Sequence, residues 1–102
     1  MYLKLKNVDR KFNVDAPTER TVKGAEKNLW VISLSVKEQL TTEEIEAYFT
    51  PDNTAEMTFI TPLPNGTEHK YVASGYVDKV FNLIKHLDNG ECVVELQLTK
   101  GA

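Results

Sequence analysis

Apolar and polar residues alternate along the first third of the chain. Two leucines alternate with two lysines in the segment 3–6, and Phe12 and Val14 repeat the same spacing. Successive side chains of a strand point to opposite faces, so this pattern predicts half-buried β-strands. The segment 29–36 has the strongest strand pattern, and both of its faces begin with apolar residues. We expect this strand to lie centrally, with both faces covered around Trp30.

A polar stretch separates these predicted strands. It contains Pro17 and Gly24, two residues that interrupt regular structure. We therefore expect a long loop or arm at about 15–28, with room for a short strand at Thr21 and Val22. A connection of this length is uncommon in a compact domain unless it is disordered or makes contacts.

One short helix is predicted at about 41–50. Thr41 is followed three residues later by Glu44, a spacing that lets each side chain accept a hydrogen bond from the backbone of the other. Pro51 disfavours helical geometry at the residue before it, so the helix should end there. An apolar stripe at helical spacing would lie on the sheet: Ile45, Tyr48 and Phe49.

Two hairpins are predicted in the second half of the chain. The segments 57–61 and 69–73 flank an Asn-Gly pair, and the segments 80–87 and 92–99 flank an Asp-Asn-Gly turn. Gly75 interrupts the extended pattern between the hairpins and predicts a bulge or a bend. The second hairpin has the clearer pattern.

These elements predict an α+β fold that is mainly β. We expect an antiparallel sheet, or a partly open barrel or sandwich, of about six strands with one short helix. The length of 102 residues is typical of one domain, so residues 1–102 are interpreted as a single domain.

Composition agrees with a folded, unexported protein. Apolar residues make up 41% and charged residues 26% of the chain, as in globular domains. Cys92 is the only cysteine, which excludes an intramolecular disulfide and suits a reducing cytoplasm. No signal peptide or membrane-spanning run is visible, so we expect a cytoplasmic protein without membrane contact.

The charge is unevenly distributed. Residues 1–37 contain eight Lys or Arg and four Asp or Glu, whereas residues 38–56 contain six Asp or Glu and no Lys or Arg. The basic part could contact phosphates, but the net charge of −3 makes nucleic acid an unlikely partner. An alternative remains open, in which the protein is a nucleic-acid-linked regulator or an acidic decoy. Its basic residues would be Lys4, Lys6, Arg10 and Lys11.

No residues form a recognisable catalytic, metal or cofactor site. His69 and His86 are separated by a spacing without preferred ligand geometry, and we interpret them as isolated histidines. Cys92 alternates with apolar residues and is expected to pack in the core. The acidic residues of segment 38–56 are interpreted as a solvated helix face. We therefore expect no enzymatic activity and no cofactor, although a small ligand-binding protein or enzyme remains an alternative.

The layout of the chain from residue 40 onward resembles small prophage-encoded proteins of Gram-positive bacteria. The resemblance covers the Thr-Thr-Glu-Glu-Ile helix entry, Phe-Thr-Pro-Asp-Asn, the pair Gly75-Tyr76, and the turn Asp-Asn-Gly before the terminal strand. It implies an assembly or accessory protein, located in the bacterial cytoplasm or in a virion, with no enzymatic residues to transfer.

The leading functional hypothesis is a non-enzymatic protein-interaction or structural module that self-associates or docks on another protein. Strand edges and the 15–28 segment are the features that favour it. The residues expected to contact a partner lie in that segment and near the first hairpin turn: Pro17, Arg20, Lys23, Leu63 and Pro64.

Overall fold

The described residues form two antiparallel four-stranded sheets and two short helices. A computed structural model describes residues 1–24, 27–86 and 92–101, and only the backbone of 79–86, 92 and 101. Sheet A has the strand order β2-β1-β5-β6 and sheet B the order β3-β4-β8-β7. The described elements are β1 (Tyr2–Leu5), β2 (Lys11–Asn13), β3 (Thr18–Lys23), β4 (Asn28–Val36), α1 (Thr42–Tyr48), α2 (Pro51–Thr54), β5 (Glu56–Pro62), β6 (Glu68–Ser74), β7 (Asp78–His86) and β8 (Cys92–Gly101). The prediction of a mainly β, antiparallel fold is confirmed.

The two sheets are joined at one corner. Val14 pairs with Val36, and the Asp15 amide donates to the Ser35 carbonyl at 3.0 Å. The amide of Lys37 donates to the Asn13 carbonyl at 2.7 Å. The chain from β2 to β3 therefore passes from sheet A to sheet B, with backbone hydrogen bonds at Asn13 and Asp15. The sheets do not close into a barrel.

The core lies between the sheets and is built from the alternating positions. Leu3 and Phe12 of sheet A face inward, as do Ile32 and Leu96 of sheet B, and all four are almost completely buried. Such alternation buries one face of each sheet. At one end of the core, α1 contributes Ile45, which is fully buried.

Helix α1 begins as predicted but ends earlier. The Thr41 hydroxyl accepts from the Glu44 amide and the Glu44 carboxylate accepts from the Thr41 amide, each at 3.1 Å. Phe49 caps the end of the helix. Thr50 is extended and Pro51 starts α2, since proline suits the first helical position. The predicted helix at 41–50 is therefore α1, and α2 is a second short helix that was not predicted.

Two further predictions differ from the structure. The segment 15–28 is not one continuous loop, because β3 occupies Thr18–Lys23 and pairs with β4 along its length. Trp30 was expected to be covered, yet its side chain is 40% exposed. The burial patterns show that the core covers neither β3 nor the beginning of β4, although β4 pairs there with both β3 and β8.

Candidate functional site

Strand β3 is an edge strand with unusual exposure. Among the described strands, it lies at the end of sheet B and has β4 as its one neighbour. All six of its side chains are exposed, on both faces of the strand. An exposed edge offers backbone amides and carbonyls to another strand. We therefore take β3 as the candidate functional site.

The hydrogen bonds around β3 establish which of its backbone groups are available. The Gly24 amide donates to the Lys27 carbonyl at 3.0 Å, so Gly24 is directed towards β4. At the other end of the pair, the Ser35 carbonyl accepts a hydrogen bond from the Asp15 amide, so Ser35 of β4 is directed towards the β3 side. Directions alternate along a strand, and the β3–β4 register contains no shift between Thr18 and Lys23.

Two sets of β3 residues follow from this alternation. Thr18, Arg20 and Val22 direct their amides and carbonyls towards β4. Glu19, Thr21 and Lys23 direct theirs towards the open edge. The same directions follow from each of the two hydrogen bonds described above, Gly24 with Lys27 and Asp15 with Ser35.

The same alternation divides the side chains of β3. Glu19 is opposite Ile32, whose side chain lies in the core, so Glu19 and its odd-numbered neighbours share the inward face. Thr21 is opposite Trp30 on this face. The even-numbered residues lie on the outer face, where Val22 is exposed.

A polar cluster supports the inward face of β3. The Tyr76 hydroxyl donates to Glu19 Oε1 at 3.1 Å. A hydrogen bond to Glu19 is the largest cause that raises the pKa of Tyr71 to about 12, followed by burial and the carboxylate charge. Burial and then the Glu19 charge raise the pKa of Tyr76 to about 12. Both phenols therefore remain protonated donors at neutral pH, and neither is activated as a base or a nucleophile.

Lys100 completes this cluster from sheet B. Its ammonium lies 4.5 Å from the centroid of the Tyr76 ring and donates to the Ser74 carbonyl at 3.0 Å. Gly75 has a φ of +84°, which glycine adopts readily, and this conformation turns the chain so that Tyr76 enters the core. The bend predicted at Gly75 is confirmed. Glu19 is thus bonded to Tyr76, and Tyr76 is in turn contacted by Lys100 of β8.

The structure separates the five residues predicted to contact a partner. Arg20 and Lys23 lie on β3, and Pro17 directly precedes it. Leu63 and Pro64 belong to the turn between β5 and β6, where the Leu63 amide donates to the Thr67 carbonyl at 2.8 Å. This turn belongs to sheet A and is not part of the β3 edge.

Sequence reasoning missed three residues of the cluster: Glu19, Tyr71 and Tyr76. Glu19 and Tyr76 are 57 positions apart, and no local spacing connects them. Tyr76 after a bend-forming glycine was the one available signal, because a turn can direct the following side chain into the core.

The remaining candidates for chemistry are dispersed. A groove of about 320 Å³ on sheet B is lined mainly by small and polar residues, including Thr18, Ser33 and Gln97. A second cavity of about 410 Å³ lies beside the helices and includes Glu46 and Asp78. Within the residues that the structure describes, no group of three or more His, Cys, Asp or Glu side chains could hold a metal ion.

The histidines and the cysteine predicted to be isolated or buried are only partly described. His69 is exposed on β6. The side chains of His86 and Cys92 lie outside the described residues, as does the turn of the second hairpin, so the predicted core packing of Cys92 stays a prediction.

Neither described helix has the length and apolar composition needed to cross a membrane. No protein-family model, curated protein or solved structure matches this chain.

Proposed function

We propose that this protein is a non-enzymatic interaction module that binds a protein partner by adding a strand to β3. The observation that carries the proposal is the open edge formed by the backbone of Glu19, Thr21 and Lys23, on a strand whose side chains are all exposed. Strand addition uses main-chain hydrogen bonds for affinity and alternating side chains for selectivity.

The sequence of β3 favours selective pairing of its edge. Proteins commonly block an edge strand with charged side chains, a proline, a bulge or a covering segment, and of these the described part of the chain gives β3 only the charged side chains. Pro17 precedes the strand, but Thr18–Lys23 contains no proline and pairs with β4 without a bulge. Threonine and valine favour extended geometry, while the charged side chains disfavour indiscriminate pairing.

The cluster below β3 supports the same function. The hydrogen bond from the Tyr76 hydroxyl to Glu19 connects β3 to the core. A strand that is ordered before binding loses less conformational entropy when a partner pairs with it. The β3 edge is therefore already ordered when a partner strand associates with it.

Of the four basic residues proposed for nucleic-acid binding, Lys4, Lys6 and Lys11 are exposed, whereas Arg10 makes contacts within the chain. The Arg10 guanidinium is 3.7 Å from the Glu38 carboxylate and 5.0 Å from the centroid of the Phe12 ring. A nucleic-acid function that uses Arg10 would have to break these contacts. An assembly role in a phage particle is proposed only through the resemblance of the sequence layout to prophage-encoded proteins.

A single substitution tests the proposed use of β3. Thr21→Pro removes an amide that faces the open edge, whereas Thr21→Val keeps this amide and the strand preference. Partners that bind the wild-type protein should bind the Val variant and be lost with the Pro variant. Circular dichroism and urea unfolding of both variants establish that each is folded. Equal partner binding by the two folded variants would contradict the proposal.

A further inference from the structure

We infer that the strand added to β3 is the β3 strand of a second copy, paired antiparallel about a two-fold axis at Thr21. This inference rests on the proposed function and identifies the partner. The two copies would form one continuous eight-stranded sheet from their two four-stranded B sheets.

The backbone directions select this register. In an antiparallel pair, outward-directed residues of one strand must oppose outward-directed residues of the other. Centring the pair on Thr21 places Thr21 opposite Thr21 and Glu19 opposite Lys23 of the second copy. All three outward residues of each strand are then used, which gives about six backbone hydrogen bonds.

The side chains are complementary in the same register. Glu19 of each copy lies beside Lys23 of the other, so the axis generates two opposite-charge pairs on one face. On the other face, Arg20 is opposite Val22, which avoids a pairing of like charges. Directly opposite charges stabilise a strand pair and like charges destabilise it.

The neighbouring registers are less favourable, and centring on Val22 leaves Glu19 without an opposing residue of β3. Centring on Arg20 places this cation opposite itself and places Pro17, which has no amide hydrogen, opposite Lys23. Centring on Glu19 places two carboxylates in opposition. The register at Thr21 is the symmetric one that combines complete use of the outward residues with complementary charge.

The first experiment uses the unaltered protein. Amide hydrogen exchange is measured by NMR at increasing protein concentration, together with the mass in solution by analytical ultracentrifugation. As dimer forms, the amides of Glu19, Thr21 and Lys23 should become protected, while those of Arg20 and Val22 are protected throughout by β4. A strict monomer at millimolar concentration, or a dimer without new protection at the three odd-numbered amides, would overturn the inference.

Charge reversal tests the register. Lys23→Glu converts both opposite-charge pairs into like-charge pairs and should raise the dimer dissociation constant about thirtyfold. Mixing this variant with Glu19→Lys restores both pairs, so the mixed dimer should be tighter than either variant alone. A mixed pair no tighter than the separate variants would overturn the register. If the Glu19→Lys variant is unfolded, the amide protection measured on the unaltered protein tests the register instead.

These results also separate the inference from the proposed function. If the protein is monomeric but a different protein still binds in a manner sensitive to Thr21→Pro, self-pairing is wrong and strand addition remains. If Thr21→Pro affects neither association, both proposals are wrong.

Discussion

The hydrogen bond between Tyr76 and Glu19 should contribute measurably to folding, because it connects β3 to the core. Tyr76 is only 1% exposed, and its hydroxyl donates to a carboxylate at 3.1 Å. A hydrogen bond to a charged group contributes about 1.5–3 kcal/mol in protein interiors. Glu19 is exposed, so solvent screening reduces our expectation to about 1 kcal/mol.

A double-mutant cycle isolates this interaction. The four proteins are the wild type, Tyr76→Phe, Glu19→Ala and the double variant, each unfolded in urea and followed by circular dichroism. A coupling free energy of about 1 kcal/mol is expected for the pair. Tyr76→Phe alone should lower the melting temperature by about 4–8 °C, as a loss of this size does in domains of up to about 100 residues.

The second cycle uses Tyr71→Phe with Glu19→Ala and serves as a comparison, since Tyr71 also interacts with Glu19. All samples are kept at one low concentration, so that association does not contribute to the measured stability. A Tyr76–Glu19 coupling within about 0.3 kcal/mol of zero would refute the conclusion that this bond holds β3 against the core.

Three further outcomes are expected. Thr41→Ala should cost about 1 kcal/mol of the free energy of unfolding in urea through loss of the helix cap, whereas Thr42→Ala should change it by less than about 0.5 kcal/mol. Phe12→Ala should cost about 3–5 kcal/mol, because the ring is fully buried against two other aromatic rings. The pKa values of Tyr71 and Tyr76 are raised from 10.0 to about 12, so the folded state retains protons that the unfolded chain releases above pH 10. Urea unfolding should therefore show a contribution to stability that is complete below about pH 10 and is lost as the pH rises to about 12, and ultraviolet titration of the Phe variants would assign each phenol.

Local patterns in the sequence predicted much of the fold. The hydrogen bonds between Thr41 and Glu44 need only a fixed spacing, and the first hairpin needs only two strand patterns around a turn. Both features are confirmed. Pro51 was expected to end a helix, and it also begins the next one, because the same fixed φ suits a first helical turn.

The candidate site was harder to predict because it depends on where the sheet extends beyond the core. A strand pattern indicates which faces are apolar but does not show how far the opposite sheet reaches. Trp30 shares the apolar alternation of Ile32, yet the former is exposed and the latter is buried. Glu19 had no visible partner in the sequence, since its contact with Tyr76 depends on the tertiary fold.

The pairing of β4 with β8 affects how the protein acquires its structure. Val36 is paired with Val94, so more than half of the chain separates two neighbours at the middle of sheet B. Hairpins such as β5–β6 can form early from nearby residues, but the central contact must await closure of this long segment. We expect the pairing of β4 with β8 to form slowly and late in folding. Until it forms, one side of β4 is a temporary second edge that can capture another strand and cause misassembly.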